Sequence, residues 1–465
     1  MDLSFKKPFA ISLATQKPAT WGSHNLYKSM VHGLLSLSAD IIRRTTAEAL
    51  RLTRAPKARA IITLAGLNYA TAFLGFATSF VLAKSIPVEE FGALTGCMLV
   101  AQITATVAGF GGERTLLHHI AQSKNASLVF AAHILKTAAV ATAFAPLALA
   151  YICFHAQTLD QKLALGFFML SGVFFALSPR AFLDLHMRML THTRIMLLEK
   201  FAFAAPTLTL ALTLPGCVSL TLIATLFLAS RLASVAAQYA YAGIKLRTTF
   251  GKVAAIALRL LKNNLLVCIS SMGNLALTHI SPLLVETLHS PEELAVYGIA
   301  FQMVALAQLL QNQFLRIHAP EIAFATDRSA NRGPLQPHLR KITARMALFS
   351  VLTVTPAIVL GHLLIVAILP ENYFAATKPL MILGIWSLLV GPGMILNQFL
   401  MGLRLEHHVL TATAISATLV ITFSFLLIPR LGALGCAISI LLAHPFSISF
   451  QAMKLKRHLR YFTPA

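Results

Sequence analysis

Charged residues are scarce in this sequence, and acidic residues are the scarcest. Of its 465 residues, 12% are charged, with 16 Asp and Glu against 38 Lys and Arg, while 57% are hydrophobic. Soluble domains carry about 25% charged residues, so this chain cannot bury its apolar surface in a water-soluble core. The composition therefore predicts an all-α integral membrane protein, in which apolar runs of about 20 residues cross the bilayer.

Several motifs that carry chemistry are also absent from the sequence. The five cysteines lie singly in or beside apolar runs and form no CxxC, so neither a disulfide framework nor a zinc cluster is indicated. No Walker A, GxSxG or HExxH sequence occurs. No nucleic-acid recognition module accompanies the positive charge. We therefore expect no enzyme activity, no metal, no cofactor and no nucleic-acid partner.

Twelve apolar runs are long enough to span a bilayer, and a misjudged weak span would make the number ten or fourteen. The predicted spans lie near 60–83, 91–110, 127–153, 163–179, 196–213, 217–240, 264–287, 294–316, 346–368, 379–402, 406–428 and 432–452. Only residues 214–216 separate the fifth span from the sixth. Prolines and glycines predict helix breaks at 391–393, Pro282 and Pro356, which act as hinges in cavity-lining helices or as static kinks.

The distribution of basic residues fixes a predicted orientation. With twelve spans, only four of the 38 Lys and Arg lie on the outer side. They are Lys84, Lys162, Lys378 and Arg430. Basic residues are enriched on the cytoplasmic side of membrane proteins, which predicts that both termini are cytoplasmic. The outer loops are all short, so no outer domain is expected.

The predicted organisation has two similar halves. It comprises a basic cytoplasmic arm (1–57), a six-helix bundle (58–243), a basic cytoplasmic linker (244–263), a second six-helix bundle (264–452) and a basic tail (453–465). A similar pattern occurs in both halves. Each half has a proline followed by two glutamates, at 87–90 and 291–293, then a glycine, and a glutamine ten residues after that glycine, at Gln102 and Gln308. Six spans per half predict parallel repeats around a central cavity. The arm is either an interfacial amphipathic helix or a disordered tail.

Polar residues within spans are candidates for substrate binding because they are costly in a bilayer. Gln308, Asn312 and Arg316 share one face of the eighth span, and Gln102 and Glu113 share one face of the second. The two faces either line a shared cavity or bond neighbouring helices.

Three further spans carry isolated polar or basic residues. Arg231 in the sixth span either binds an anionic group or extends its side chain to the membrane interface. For Lys136 in the third span, extension of the side chain to the interface is favoured. In the seventh, His279 near Asn274 is either a packing residue or a proton carrier.

Several stretches resemble one family of transporters. They are 86–92, 109–114 with Ile120-Ala121, 297–298, 320–323 and the turn at 427–437. Together they resemble the polysaccharide-export (Wzx-like) flippases of the multidrug/oligosaccharidyl-lipid/polysaccharide superfamily, over roughly residues 58–452. The absence of an Arg in the first span and of additional helices disfavours the peptidoglycan-precursor branch of that superfamily.

The resemblance implies two six-helix bundles facing each other across a V-shaped cavity, with alternating access. The implied substrate is a lipid-linked oligosaccharide (a polyprenyl-pyrophosphate sugar), moved across the bacterial inner membrane for lipopolysaccharide, O-antigen or exopolysaccharide synthesis. Its pyrophosphate implies cationic residues, for which Arg316, Arg231 and Arg114 are candidates. The implied partners are membrane lipids and the glycosyltransferases and polymerase of the pathway.

Two other functions remain open. An ion-coupled multidrug exporter of the same superfamily requires a buried carboxylate, which the first span lacks. A membrane polysaccharide polymerase or ligase requires a sizeable outer loop with catalytic groups.

Overall fold

The fold is known from a computed structural model that describes residues 56–123, 125–185, 188–214, 216, 218–244, 250–326 and 335–460. The regular structure in these ranges is entirely helical, which confirms the predicted all-α membrane class. Residues 1–55 of the predicted arm (1–57) lie outside the described residues, and residues 56 and 57 are helical. Thr63–Ala465 forms one compact unit.

The helices follow one another with short connections. The first half of the chain contains α1 (Pro56–Ser85), α2 (Val88–Gly109), α3 (Gly112–Gln122), α4 (Ala126–His155), α5 (Leu159–Ala176), α6 (Arg180–Leu185), α7 (Met189–Thr213) and α8 (Leu220–Ala242). The second contains α9 (Phe250–Leu275), a π-helical turn (Ala276–Ile280), α10 (Ser281–Leu288), α11 (Pro291–Thr326), α12 (Leu335–Ile368), a 3₁₀ turn (Glu371–Ala376), α13 (Thr377–Gly402) and α14 (Glu406–Arg460).

Eleven helical segments among the described residues are long and apolar enough to cross a membrane. The last, within α14, is interrupted at Gly432, whose φ of 53° and ψ of −129° are not helical. Each arm of α14 exceeds the roughly 20 residues that a span needs. If this interruption is a turn between two spans, the number becomes twelve. The layout of twelve spans in two bundles of six stays a prediction.

A carboxylate from a distant helix stabilises the interruption at Gly432. Glu293, in the first turn of α11, accepts a hydrogen bond of 2.7 Å from the backbone N–H of Ala433. That N–H belongs to the first turn after the break, where backbone donors lack helical partners and favour negative charge. The two motifs found in the sequence, Pro-Glu-Glu at 291 and the glycine turn at 432, are therefore partners in the fold.

Close packing explains residues that were predicted to break helices. α13 continues through 391–393, and a methyl group on Gly391 would overlap the Ser350 hydroxyl of α12. The glycine therefore permits a close approach of two helices, and the predicted break there is wrong. α12 likewise continues through Pro356. Only Pro282 adjoins an irregular segment, since it follows the π-helical turn.

Two other sequence expectations change in the structure. The predicted linker is helical from Phe250 and continues directly into the seventh span, because its apolar and basic residues are good helix formers. Lys136 does not extend to the interface. It is 1% exposed, and its Nζ donates to the carbonyl oxygen of Gly109 at 2.7 Å, where a cation stabilises the C-terminus of α2.

Candidate functional site

A cavity of about 640 Å³ lies between the two halves of the chain. Its wall is formed by α1, α2, α7 and α8 from the first half, and by α9, the π-helical turn, α10 and α11 from the second. Aromatic rings make up much of the wall, with Phe203 and Phe227 on one side and Tyr297 and Phe301 on the other. Such a cavity combines apolar surface with a few polar groups, as ligand sites usually do.

Five of the predicted site residues line this cavity. They are Gln102, Asn274, His279, Gln308 and Asn312. Their neighbour Gln311 instead points away and donates to the Ser387 carbonyl oxygen at 3.1 Å. One helix therefore contains both kinds of polar residue, those that line a cavity and those that bond neighbouring helices.

The remaining predicted residues do not line the cavity or cannot be placed there. Arg316 is exposed on α11, one turn beyond Asn312, and is not part of the cavity wall. The side chains of Glu113 and Arg114 lie outside the described part of the chain. Their roles in binding stay predictions.

Lys200 is the functional candidate that the sequence analysis missed. It is the one Lys or Arg among the described cavity-lining residues. Its Nζ lies 5.6 Å from the centre of the Phe227 ring, which is a cation–π distance. Within the described residues, no carboxylate lies at ion-pair distance from it. Its charge is therefore available to an anion in the cavity.

Arg231 forms a buried ion pair behind the same aromatic wall. Its Nη1 lies 2.9 Å from Glu199 Oε1, and both side chains are almost fully buried. The guanidinium also lies 4.6 Å from the Phe175 ring and 5.4 Å from the Phe227 ring. This differs from both arrangements considered from the sequence, because the guanidinium neither lines the cavity nor extends to the interface. The Phe227 ring thus lies close to both Arg231 and Lys200.

The seventh span carries a π-helical turn at the cavity. Ala276–Ile280 contains Thr278 and His279, whose Oγ1 and Nδ1 lie 2.6 Å apart. Both side chains also line a smaller cavity of about 130 Å³ together with Thr106 and Ser271. π-helical turns are rare and are frequent at functional sites, so the irregular backbone coincides with the predicted polar residues of this span.

The two halves meet on either side of the cavity. We call the end with His155 and Glu286 the upper end, where a Cβ atom on Gly92 would overlap the Pro291 carbonyl. At the other, lower end, the Thr115 hydroxyl donates to Asn264 Oδ1 at 3.0 Å. The cavity thus lies between two contacts that both join the first half of the chain to the second.

The fold is similar to that of solved transporters. It matches a "Lipid II flippase MurJ, inward closed conformation" with a TM-score of 0.68 and 13% identity, over 85% of this chain and 87% of that chain. It matches an inward-facing multidrug resistance MATE family transporter of the MOP superfamily with a TM-score of 0.64 and 13% identity, over 84% and 95%. It matches an outward-facing MATE transporter with a TM-score of 0.57 and 13% identity, over 89% of this chain and 98% of that chain. No protein with a curated function matches the chain in sequence.

A family model identifies the chain more specifically than the fold does. The model described as "Polysaccharide biosynthesis protein" matches residues 81–378, which is more than half of the chain and includes both sides of the cavity. The matched range includes the hairpin motifs at 86–92 and 109–114 that carry the resemblance, while the turn at 427–437 lies beyond it. The fold is similar to that of a solved transporter of the superfamily to which those motifs pointed. The chain belongs to the polysaccharide biosynthesis protein family.

Proposed function

We propose that this protein is a flippase that moves a lipid-linked oligosaccharide across the bacterial inner membrane. The observation that carries the proposal is Lys200, a cation in a cavity between the two halves, for which the described residues provide no carboxylate partner. A pyrophosphate needs such a charge, and amide side chains such as Gln308 and Asn312 suit sugar hydroxyls. Family membership supports a role in polysaccharide synthesis.

The proposed mechanism is alternating access with both termini in the cytoplasm. The upper end then faces outward and the lower end faces the cytoplasm. Opening of the lower contact admits the pyrophosphate sugar to Lys200, and closure there with opening above releases it outward. The polyprenyl chain stays in the lipid, so the cavity accommodates only the headgroup. Glycosyltransferases supply the substrate and a polymerase consumes the product.

The alternative of a drug exporter is less consistent with the cavity. A cationic drug favours a carboxylate, and none of the described cavity-lining residues is Asp or Glu. If expression of the protein changes susceptibility to cationic drugs and reconstituted protein leaves lipid-linked sugars unflipped, the exporter is the better assignment.

Reconstitution in vesicles tests the flippase directly. A fluorescent polyprenyl-pyrophosphate oligosaccharide is placed in both leaflets, and a membrane-impermeant quencher reports the fraction that becomes accessible. We expect wild-type protein to make the inner pool accessible. No protein-dependent gain in quenching would contradict the proposal.

Substitution of Lys200 tests the binding role separately. We expect Lys200→Gln to slow flipping by about 10-fold or more, because a hydrogen bond to a charged group contributes roughly 1.5–3 kcal/mol, while Lys200→Arg keeps most of the rate. Lys454 is a matched control, since its Nζ lies 5.3 Å from the Phe450 ring away from the cavity. Lys454→Gln should flip at the wild-type rate. Equal rates for the two glutamine variants would remove Lys200 from the site.

A further inference from the structure

A second cavity lies at the upper end and contains an ion pair that joins the two halves of the chain. Its volume is about 460 Å³, and its lining includes Tyr151, His155, Gln157 and Glu286. His155 ends α4 and Glu286 belongs to α10. His155 Nε2 lies 3.3 Å from Glu286 Oε1. The pair therefore connects the first half to the second where the upper contact must separate.

Glu286 has an unused proton-accepting position. Its side chain is 9% exposed, and its buried Oε2 has no hydrogen-bond partner among the described residues. A buried carboxylate oxygen without a partner is unfavourable, and a bound proton removes the charge that makes it so. The Tyr151 hydroxyl is also buried and unpaired, with its ring stacked on His155 at 5.0 Å.

Water has access to this pair from the upper end. His155 is 28% exposed, and the adjoining Gln157 is exposed. Other titratable groups near Glu286 are Cys97 of α2 and Tyr151 of α4, with Asp160 of α5 near Cys97. Asp160 accepts a hydrogen bond from the Thr221 N–H. Glu293 of α11 accepts one from the Ala433 N–H.

We propose that Glu286 and His155 form a proton-binding site that controls the upper contact. A proton from the outer side binds Glu286, which neutralises the carboxylate and removes its attraction to His155. The outer ends of α4 and α10 then separate. A metal cation is disfavoured because His155 places a positive charge or an N–H donor against the carboxylate. The role in transport rests on the proposed flippase function, but the proton-dependent separation does not require it.

Distance measurements between spin labels test the separation without any substrate. Labels at Leu159→Cys and Ile368→Cys, in full-length protein without the native cysteines, place one probe on each half near the upper end. We expect acidification to increase the population with a longer distance. Glu286→Gln should show that longer population at every pH, because its neutral amide mimics the protonated acid.

Two further variants keep the test independent of folding and general charge effects. Glu371→Gln makes the same chemical change at an exposed residue of the same end and should respond to pH as wild type does. Gly96→Ala leaves all charges in place, but its methyl group would overlap Glu286 Oε2 and should increase the longer population at neutral pH. Identical pH responses of Glu286→Gln and wild type would overturn the proposal, as would a response to Na⁺ but not to pH.

Flipping under an imposed pH gradient connects the site to transport. We expect an acidic exterior to accelerate flipping by wild-type protein and to have no effect on Glu286→Gln. A pH-dependent label distance with no flipping would contradict the flippase and retain the proton site. Flipping at a gradient-independent rate in wild type would retain the flippase and contradict the coupling.

Discussion

Two ion pairs between different helices occur in the described part of the chain, and they differ in the chemistry of their cations. Glu199 pairs with Arg231 inside the first half, in a fully buried site beside aromatic rings. Glu286 pairs with His155 across the two halves, beside a cavity that water can enter. In both pairs the carboxylate Oε2 has no hydrogen-bond partner. The cation and the access to water therefore distinguish them.

The difference separates a permanent interaction from one that depends on pH. Arginine stays protonated at any physiological pH, whereas histidine changes charge between about pH 5 and 8. The charge on Arg231 therefore stays constant over this pH range, and its pairing with Glu199 joins α7 to α8. The Glu286–His155 pair is strongest at intermediate pH, because acid neutralises the glutamate and base neutralises the histidine.

The largest expected effect is on stability, at the permanent pair. Arg231→Gln should lower the free energy of unfolding by roughly 3–5 kcal/mol, since it leaves the Glu199 charge buried and uncompensated. Chemical unfolding of the purified protein in detergent measures this. The double variant Glu199→Gln/Arg231→Gln should recover most of the loss. A single variant as stable as wild type would show that the pair contributes nothing.

A smaller effect, on pH dependence, should follow from converting one kind of pair into the other. His155→Arg keeps the charge on the cation at all pH values, so the closed population should no longer decline on the alkaline side. The decline on the acidic side should remain because Glu286 still accepts a proton. The label distances described above measure the closed population on the acidic and the alkaline side. We expect His155→Gln to weaken the upper contact at every pH. An alkaline decline that persists in His155→Arg would exclude histidine as its origin.

The smallest effect is expected at the lower contact, where Asn264 Oδ1 accepts from the Thr115 hydroxyl and also lies 3.4 Å from His119 Nε2. Asn264→Ala should shift the balance toward lower-end opening by about 1 kcal/mol, the usual net value of such a bond. Labels at the lower ends of α3 and α9 report this shift. Thr115→Ala/Asn264→Ala should add little to the single variant, because both changes remove the same bond. Strictly additive effects would show that the two residues act separately.

Much of the fold followed from local sequence, because each helix depends on residues near one another in the chain. The fifth and sixth spans are separate helices, α7 and α8, although only a short apolar connection marks their division. The spacing of Gln308 and Asn312 predicted a shared helical face, and the structure places both on the cavity wall. The family was likewise recognisable from short motifs.

The ion pairs were not predictable, because each joins helices that are distant in the sequence. Arg231 was a candidate for an anion, yet its partner Glu199 lies thirty-two positions earlier and was not among the candidate residues. Lys200 was not among them either. Which of the two cations remains available depends on which one Glu199 contacts, and this is a property of the packing between α7 and α8.

The hydrogen bond between Glu293 and Ala433 has a consequence for the order of assembly. Its two residues are 140 positions apart, so the acceptor is synthesised and inserted long before the donor. We therefore expect the last crossing segment to be positioned during biogenesis by the start of α11 as well as by its own short turn.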